Sequence, residues 1–523
     1  MYYKMKKNNI LIVTVSLFVL LFSSCSDFNE LKKNENLAGA VPASILLNNV
    51  LYSLNDEPEG MNERWCQYYL MNYDYYGNNR YDFGGGDNYY KTLKNVKQME
   101  TEAMGNQAYI ALADFLKAYY FTKMSLEMGD IPMSEALAGV SNLTPKYNTQ
   151  KEVFVQAFQW LETANSLLAT EISKGTTIAG DIYYGNNLSK WQKLVNTFRL
   201  RLLIHLSKKT SDTDLNVKQQ FAKIIATPAT YPIMTSAADD LKFTYLYPSN
   251  MYPRNPGSYG YNATRENCSD TYVGLLTKLQ DPRVFITCEP AQALLSTYSA
   301  TDFNVFKGAN PGEDQGIMYT KNTNGQYSMI NRYHFYRTYT GEPTLEISYQ
   351  ELCFNIAEAI NRGWITTGPL GTAEDHYKAG IKTSWAFYSI PSSGAMSVYF
   401  MKQGSGISDA SPYNTYSVNV DWDTYYNQST VKYTGNDNTG LTQILQQKYL
   451  ALAFHSGLES YFTYRRTGVP TFETGTGTGN NQKIPVRFQY FDSEKTANTA
   501  NYKAAISQYN NNDDINGVMW ILK

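Results

Sequence analysis

Few residues of this chain have the types and spacing that bond-making chemistry needs. Its four histidines, His205, His334, His376 and His455, lie in neither HExxH nor any other metal-ligand spacing. His205 and His455 fall inside helical patterns, where a hydrogen-bonded structural imidazole is expected. No GxSxG elbow and no P-loop occurs. From Thr474 to Gly479 threonine and glycine alternate, but no helical pattern follows to complete a phosphate cradle, so the segment reads as a flexible loop. The stretch from Asn511 to Gly517 opens like a calcium loop and lacks the closing glutamate, which makes it a turn. A carboxylate pair for glycoside hydrolysis needs proximity in space, and nothing in the order of residues points to one. The expectation is a protein that is not an enzyme and carries no cofactor or metal.

What the chain does have is tyrosine, 45 residues against 23 phenylalanines, with only 18% charged residues. A phenol ring offers a flat apolar face and a hydroxyl for hydrogen bonding, which suits exposed contacts with a ligand or partner. Sugars present apolar C–H faces flanked by hydroxyls, so a sugar site needs ring platforms beside short polar groups. Residues 73–90 supply both, through Tyr73, Asp74, Tyr75, Tyr76, Asn79, Arg80, Tyr81 and Asp82. A second supply is Tyr252, Arg254, Tyr259, Tyr261 and Asn262. These are the candidate ligand-binding residues. Packing against a helical scaffold, or contact with a protein partner, is the competing expectation for each.

Helices must position those loops. Apolar residues recur at three-to-four spacing from Ala108 to Met128, then through Phe154, Phe158, Leu161, Ala164 and Leu168. A third face is Trp191, Val195, Phe198, Leu202 and Leu206, preceded by possible N-caps in Asn186 to Ser189. A fourth is Leu352, Ile356 and Ile360, ending at Gly363. The fifth runs from Ile444 through Tyr449 and Leu452 toward Leu458. Between about 231 and 340, and again from 395 to 440, proline, glycine, asparagine and tyrosine replace these periods, which predicts loops and short strands. Long irregular insertions of this kind are usually functional surfaces.

The N-terminus supplies an address. Lys4, Lys6 and Lys7 precede an apolar run from Ile10 to Phe22, long enough for a secretory leader and short of the ~20 residues of a membrane span. Leu21, Ser23 and Ser24 lead into Cys25 in the manner of a bacterial lipobox, with Phe22 a departure. The expectation is a signal peptide over 1–24, a lipidated Cys25, and a single domain over 25–523. Buried acyl chains bind at ~0.8 kcal/mol per methylene. Ser26 stands where an aspartate would favour inner-membrane retention, so the expected address is the outer membrane at the cell surface. Without the leader's three lysines the chain is about five charges negative, which argues against nucleic-acid binding. Cys66, Cys268, Cys288 and Cys353 show no CxxC or other metal spacing. They read as buried thiols, with one Cys268–Cys288 bridge conceivable in an oxidising compartment.

Several stretches, in order, resemble the SusD/RagB family of surface nutrient-binding lipoproteins. They are Asp27 to Glu30 with Pro42, the stretch from Gly129 to Leu137 (GDIPMSEAL), and that from Thr144 to Gln150 (TPKYNTQ). After them come Asp181 to Tyr184 with Trp191 and the stretch from Arg199 to Arg201, in which Asn186 and Asn187 replace the usual Gly-Asp. Asp281-Pro282-Arg283, the stretch from Ala357 to Trp364 (AEAINRGW) and that from Tyr464 to Pro470 (YRRTGVP) complete the series. Each element alone is weak, and their collinearity is specific. The resemblance implies a mostly α fold, a tetratricopeptide-like helix-pair scaffold with long irregular loop insertions and few short strands. It also implies that a glycan or oligosaccharide is bound and passed to a SusC-like TonB-dependent outer-membrane transporter. A peptide-binding member of the same fold is the alternative, and a surface glycoside hydrolase a more distant one. The recurring motifs are expected to build the scaffold, so Asp130, Asp281, Arg283, Trp364 and Arg465 are not read as ligand contacts.

Overall fold

The apolar periods become helices whose ends are set by identifiable caps. In the computed structural model, which describes residues 41–259 and 263–523, the scaffold helices are α1 (Ala43–Tyr52), α2 (Tyr90–Thr101), α3 (Gln107–Met128), α4 (Gln150–Ser173), α5 (Leu188–His205), α6 (Tyr349–Asn361), α7 (Ala373–Phe387), α8 (Asn438–Ala451) and α9 (Glu459–Thr467). The leader, Cys25, the stretch from Asp27 to Glu30, Tyr261 and Asn262 lie outside the described residues. Asn106 caps α3, Asn187 caps α5 and Ser348 caps α6 by accepting from the first-turn backbone. Thr149 with Glu152, and Thr372 with Asp375, form reciprocal capping boxes on α4 and α7. Gly468, at φ 75°, closes α9 in the left-handed region.

Successive helices pack as neighbours: α1 on α2, α2 on α3, α3 on α4, α4 on α5, then α6 on α5, α7 and α8. Apart from Gln107, Ile110, Lys117 and Lys123, every residue of α3 is buried, as befits a helix with neighbours on several sides. The architecture is mostly α, and one continuous apolar core runs from Ala43 to Ile521.

The shared motifs are joints of this scaffold. The Asp281 and Arg283 side chains are both fully buried and paired at 2.7 Å, and Arg283 also donates to Ser384 and Gln447. Glu358 receives Arg466 at 2.9 Å and Arg362 at 2.7 Å, joining α6 to α9. Burial would raise the pKa of Glu358, but Arg466, Arg362 and Lys448 outweigh it and hold the carboxyl at about 2. Asp181 accepts the Trp191 indole N–H at 2.9 Å and the amides of Tyr183 and Tyr184. Asp130 accepts from the amide of Gln150 and the side chain of Gln508. Arg465 donates to the carbonyls of Leu126 and Val486.

Several expectations are corrected. The fifth helix does not continue to Leu458: α8 stops at Ala451, Phe454 turns the chain at φ 68°, and α9 begins at Glu459. The stretch from 395 to 440 contains a regular nine-residue hairpin, Ser393–Met401 paired antiparallel with Tyr413–Asp421. The Thr474–Gly479 segment is a packed turn, since Gly477 N–H donates to Gly312 at 3.1 Å and a Cβ on Gly475 or Gly477 would strike the 312–313 backbone. The four described cysteines are buried free thiols, with the Sγ atoms of Cys268 and Cys288 3.3 Å apart. Much of the tyrosine belongs to the core: Tyr68, Tyr69, Tyr120, Tyr245 and Tyr272 are fully buried. Their burial is tolerable where the hydroxyl finds a carbonyl, as Tyr120 does on Val50 at 2.8 Å.

Candidate ligand-binding surface

The first tyrosine loop is held by a small sheet. Strand Tyr69–Met71 pairs antiparallel with Glu266–Cys268, and Asn72 N–H extends the ladder to the carbonyl of Arg265 at 2.9 Å. Beyond it the chain makes a closed loop. The Asn79 side chain accepts from Met71 N–H and donates to Met71 C=O, both at 2.8 Å, acting as a strand partner that returns the loop to its start. Gln315, from the helix Gln315–Thr323, donates to the carbonyls of Met71 and Gly77. Arg64 donates to the carbonyl of Asn78 at 2.9 Å, and Gly77, at φ 138°, leaves room for that guanidinium.

The tip of this loop is a one-turn 3-10 helix, Asp74–Tyr76, which together with Tyr73 before it carries three rings. Tyr75 is 83% exposed and Tyr73 43%. Tyr75 meets Tyr76 edge-on at 5.1 Å, and Tyr73 lies 6.0 Å from Tyr76 and 5.6 Å from Tyr319 of the neighbouring helix. The Arg265 guanidinium lies 4.8 Å from the Tyr73 ring centre and 5.4 Å from that of Tyr76. Four rings and a cation thus form one surface platform, edged by the exposed carboxylate of Asp74.

Beyond the tip the loop alternates between surface and core. Arg80 pairs with Asp82 at the surface, and Tyr81 is buried, donating to the carbonyl of Trp65 at 2.9 Å. Asn79 is buried as the clamp.

In the second predicted supply, Tyr252 is buried, as is Arg254 between Glu63 at 2.7 Å and Glu266 at 3.1 Å. Burial pushes the Glu63 carboxyl up to about 7 against the pull of Arg254. Neither Tyr252 nor Arg254 presents surface to a ligand. Tyr259 is half-buried, edge-on to Tyr336 at 5.7 Å.

Beside Tyr259 stands a second platform that the sequence did not single out. In the hairpin, Met396, Val398 and Phe400 enter the core, while Tyr399 alternates to the other face. Tyr333 stacks on Tyr399 at 4.1 Å and meets Tyr413 edge-on at 5.1 Å, with the Arg337 guanidinium 4.4 Å over its ring. Burial pushes the Tyr413 phenol up to about 12, so it stays a neutral hydrogen-bonding group. A cavity of about 200 Å3 opens beside the Tyr333–Tyr399 stack, lined also by Asn331, His334, Ser389 and Ser397. The two platforms are joined through Arg332, whose Nε donates to the carbonyl of Ala263, two residues before Arg265.

A family model described as starch-binding and associating with the outer membrane matches residues 34–491. The chain belongs to the SusD-like family. Among solved structures, a SusD homologue from Bacteroides fragilis NCTC 9343 has 30% identity and a TM-score of 0.79, over 92% of this chain and 100% of that one. An outer-membrane protein of Bacteroides vulgatus ATCC 8482, associated with nutrient binding, has 29% identity and a TM-score of 0.77, over 92% and 100%. A chitin-binding SusD homologue from Flavobacterium johnsoniae shares the fold, at 22% identity and a TM-score of 0.67, over 92% and 98%. A comparison with curated proteins finds no match. SusD-like proteins are outer-membrane nutrient-binding proteins, and among the described residues no helix is long and apolar enough to cross a membrane.

Of the predicted residues, Tyr73, Asp74, Tyr75 and Tyr76 are brought together at the surface, with Tyr259 near the second platform. Arg265, Tyr319, Tyr333, Arg337, Tyr399 and Tyr413 were missed. For Tyr399 and Tyr413 the alternation of their strands carried a usable signal. Tyr319 and Arg265 reach the site only by tertiary packing.

Proposed function

We propose that this SusD-like protein is a non-catalytic, surface-exposed lipoprotein that binds a glycan through its tyrosine platforms and delivers it to a SusC-like TonB-dependent transporter. The observation that carries this reading is the clamped Tyr73–Tyr75–Tyr76 turn. It projects rings into solvent on a loop tied down at both ends, so stacking a sugar requires little further ordering. The starch-binding description of the family and the chitin-binding relative support a carbohydrate as the cargo. An open platform gives moderate affinity, as a protein that must release its ligand inward requires. Lipidation at Cys25 would hold it beside the transporter.

The test is isothermal titration of the purified protein against a glycan panel, alongside the Tyr73→Ala/Tyr75→Ala/Tyr76→Ala triple variant. Aromatic contacts contribute ~0.5–1.5 kcal/mol each, so the triple variant should bind at least about tenfold more weakly while keeping the wild-type far-UV circular dichroism. Turnover of any glycan by the wild type contradicts the non-catalytic reading. Mass spectrometry of the membrane-bound protein tests the lipid on Cys25, and co-purification from the outer membrane tests the transporter.

A further inference from the structure

Both tyrosine platforms carry an arginine that the fold leaves without an anionic partner. Arg265 is half-buried across Tyr73 and Tyr76, and Arg337 is exposed over Tyr333. Neither forms an ion pair or a side-chain hydrogen bond among the described residues. Every other described arginine has an oxygen partner: Arg64, Arg332 and Arg465 donate to backbone carbonyls, and the rest to carboxylates. Arg199, Arg201, Arg254, Arg283, Arg362, Arg466 and Arg487 each hold a carboxylate, and even the surface residue Arg80 is paired with Asp82. Asp74, on the same turn as Tyr73, makes no ion pair with Arg265.

A guanidinium resting on a ring has its plane set before a ligand arrives, and its edge N–H donors remain free. Such a planar fork matches the two oxygens of a carboxylate and bonds them bidentately, an interaction about twice as strong as one to a neutral hydroxyl. The rings beside it would stack the apolar face of the same or an adjacent sugar. Near the second platform the exposed Asp409 accepts from Gly406 N–H at 2.9 Å, and the buried Glu342 pairs with His334 at 2.7 Å. The buried Glu289 faces Arg332 and caps its backbone amide.

Resting on the glycan-binding reading above, we infer that the cargo is an acidic glycan whose uronate carboxylates are taken by Arg265 and Arg337 while its rings stack on the adjoining tyrosines.

The experiment is isothermal titration of the mature protein with oligogalacturonate, a sulfated chondroitin oligosaccharide, and neutral malto- and chito-oligosaccharides of matched length, at 50 and 300 mM salt. The expected result is oligogalacturonate binding at least tenfold tighter than either neutral chain, weakening with salt. Arg265→Gln and Arg337→Gln should each lower that preference. Tighter binding of the sulfated chain with the same dependence on both arginines would keep the acidic-glycan inference and replace carboxylate by sulfate. Neutral chains binding as tightly as acidic ones, or acidic binding indifferent to both substitutions, overturns the inference and leaves glycan binding standing. Binding of none of the four overturns the glycan reading itself.

Discussion

Asn79 separates a residue that touches ligand from one that builds the surface touching it. Its side chain makes two reciprocal hydrogen bonds of 2.8 Å with the Met71 backbone, at 6% exposure. In Asn79→Leu both bonds are lost while the branched heavy-atom skeleton is kept. Each is worth about 1 kcal/mol net, and a Met71 N–H left buried without a partner adds about 1–3 kcal/mol. Met71 C=O keeps Gln315 at 2.9 Å, so it adds no such penalty. The clamp should therefore weaken by about 3–5 kcal/mol. Part of that loss is local, because Gln315 and Arg64 still hold Gly77 and Asn78. Hydrogen exchange over residues 70–80 reads the local opening and urea denaturation the global loss, while titration with the best glycan reads the platform. The expected outcome is faster exchange across the loop together with weaker binding, since apparent affinity scales with the fraction of chains whose loop is closed. Weaker binding with exchange and stability both unchanged would place Asn79 on the ligand and refute the clamp. No change in any readout would show that the turn does not depend on it.

Three further outcomes follow from the geometry. Gly77→Ala puts a side chain onto the Arg64 guanidinium at a φ of 138°, so it should cost about 1–3 kcal/mol of local stability and weaken glycan binding, both read by exchange and titration; a variant indistinguishable from wild type contradicts that packing. Burial holds His376 at about 4 in the folded chain against 6.5 unfolded, so the unfolded state binds a proton the folded state refuses as pH drops through that window. The wild type then loses about 2 kcal/mol between pH 7 and 4.5 that His376→Gln does not lose, and a constant gap between the two urea curves refutes this. Finally, Cys66, Cys268, Cys288 and Cys353 should be inert to a thiol reagent when folded and all four reactive when unfolded without reductant; two reactive thiols would reveal a Cys268–Cys288 bridge.

The scaffold was legible because its signals are local. Thr149 and Glu152 announce the start of α4 three residues apart, and the period of Trp191, Val195, Phe198 and Leu202 is the buried face of α5. The ion pairs of the shared motifs were legible only as recurring residues, since Glu358 and Arg466 are 108 positions apart and meet through packing. The candidate platforms were half legible. Clustered tyrosines mark a loop, but composition cannot tell Tyr75, which projects into solvent, from Tyr81, whose hydroxyl reaches back to Trp65 and seals the loop's inner end. Arg254 looked like a ligand contact because an arginine among tyrosines does, and its two partners, Glu63 and Glu266, are distant or unremarkable in the sequence. Phe454 broke an otherwise continuous helical period by adopting a left-handed φ, for which no glycine gave warning.

The central claim is that the cargo is a glycan and that exposed tyrosines hold it. A crystal structure of the protein soaked with the tightest-binding oligosaccharide tests this most directly. The account predicts sugar rings lying parallel to Tyr73, Tyr75 or Tyr76, or against the Tyr333–Tyr399–Tyr413 group. An oligosaccharide seated elsewhere, with both tyrosine groups bare, would contradict it.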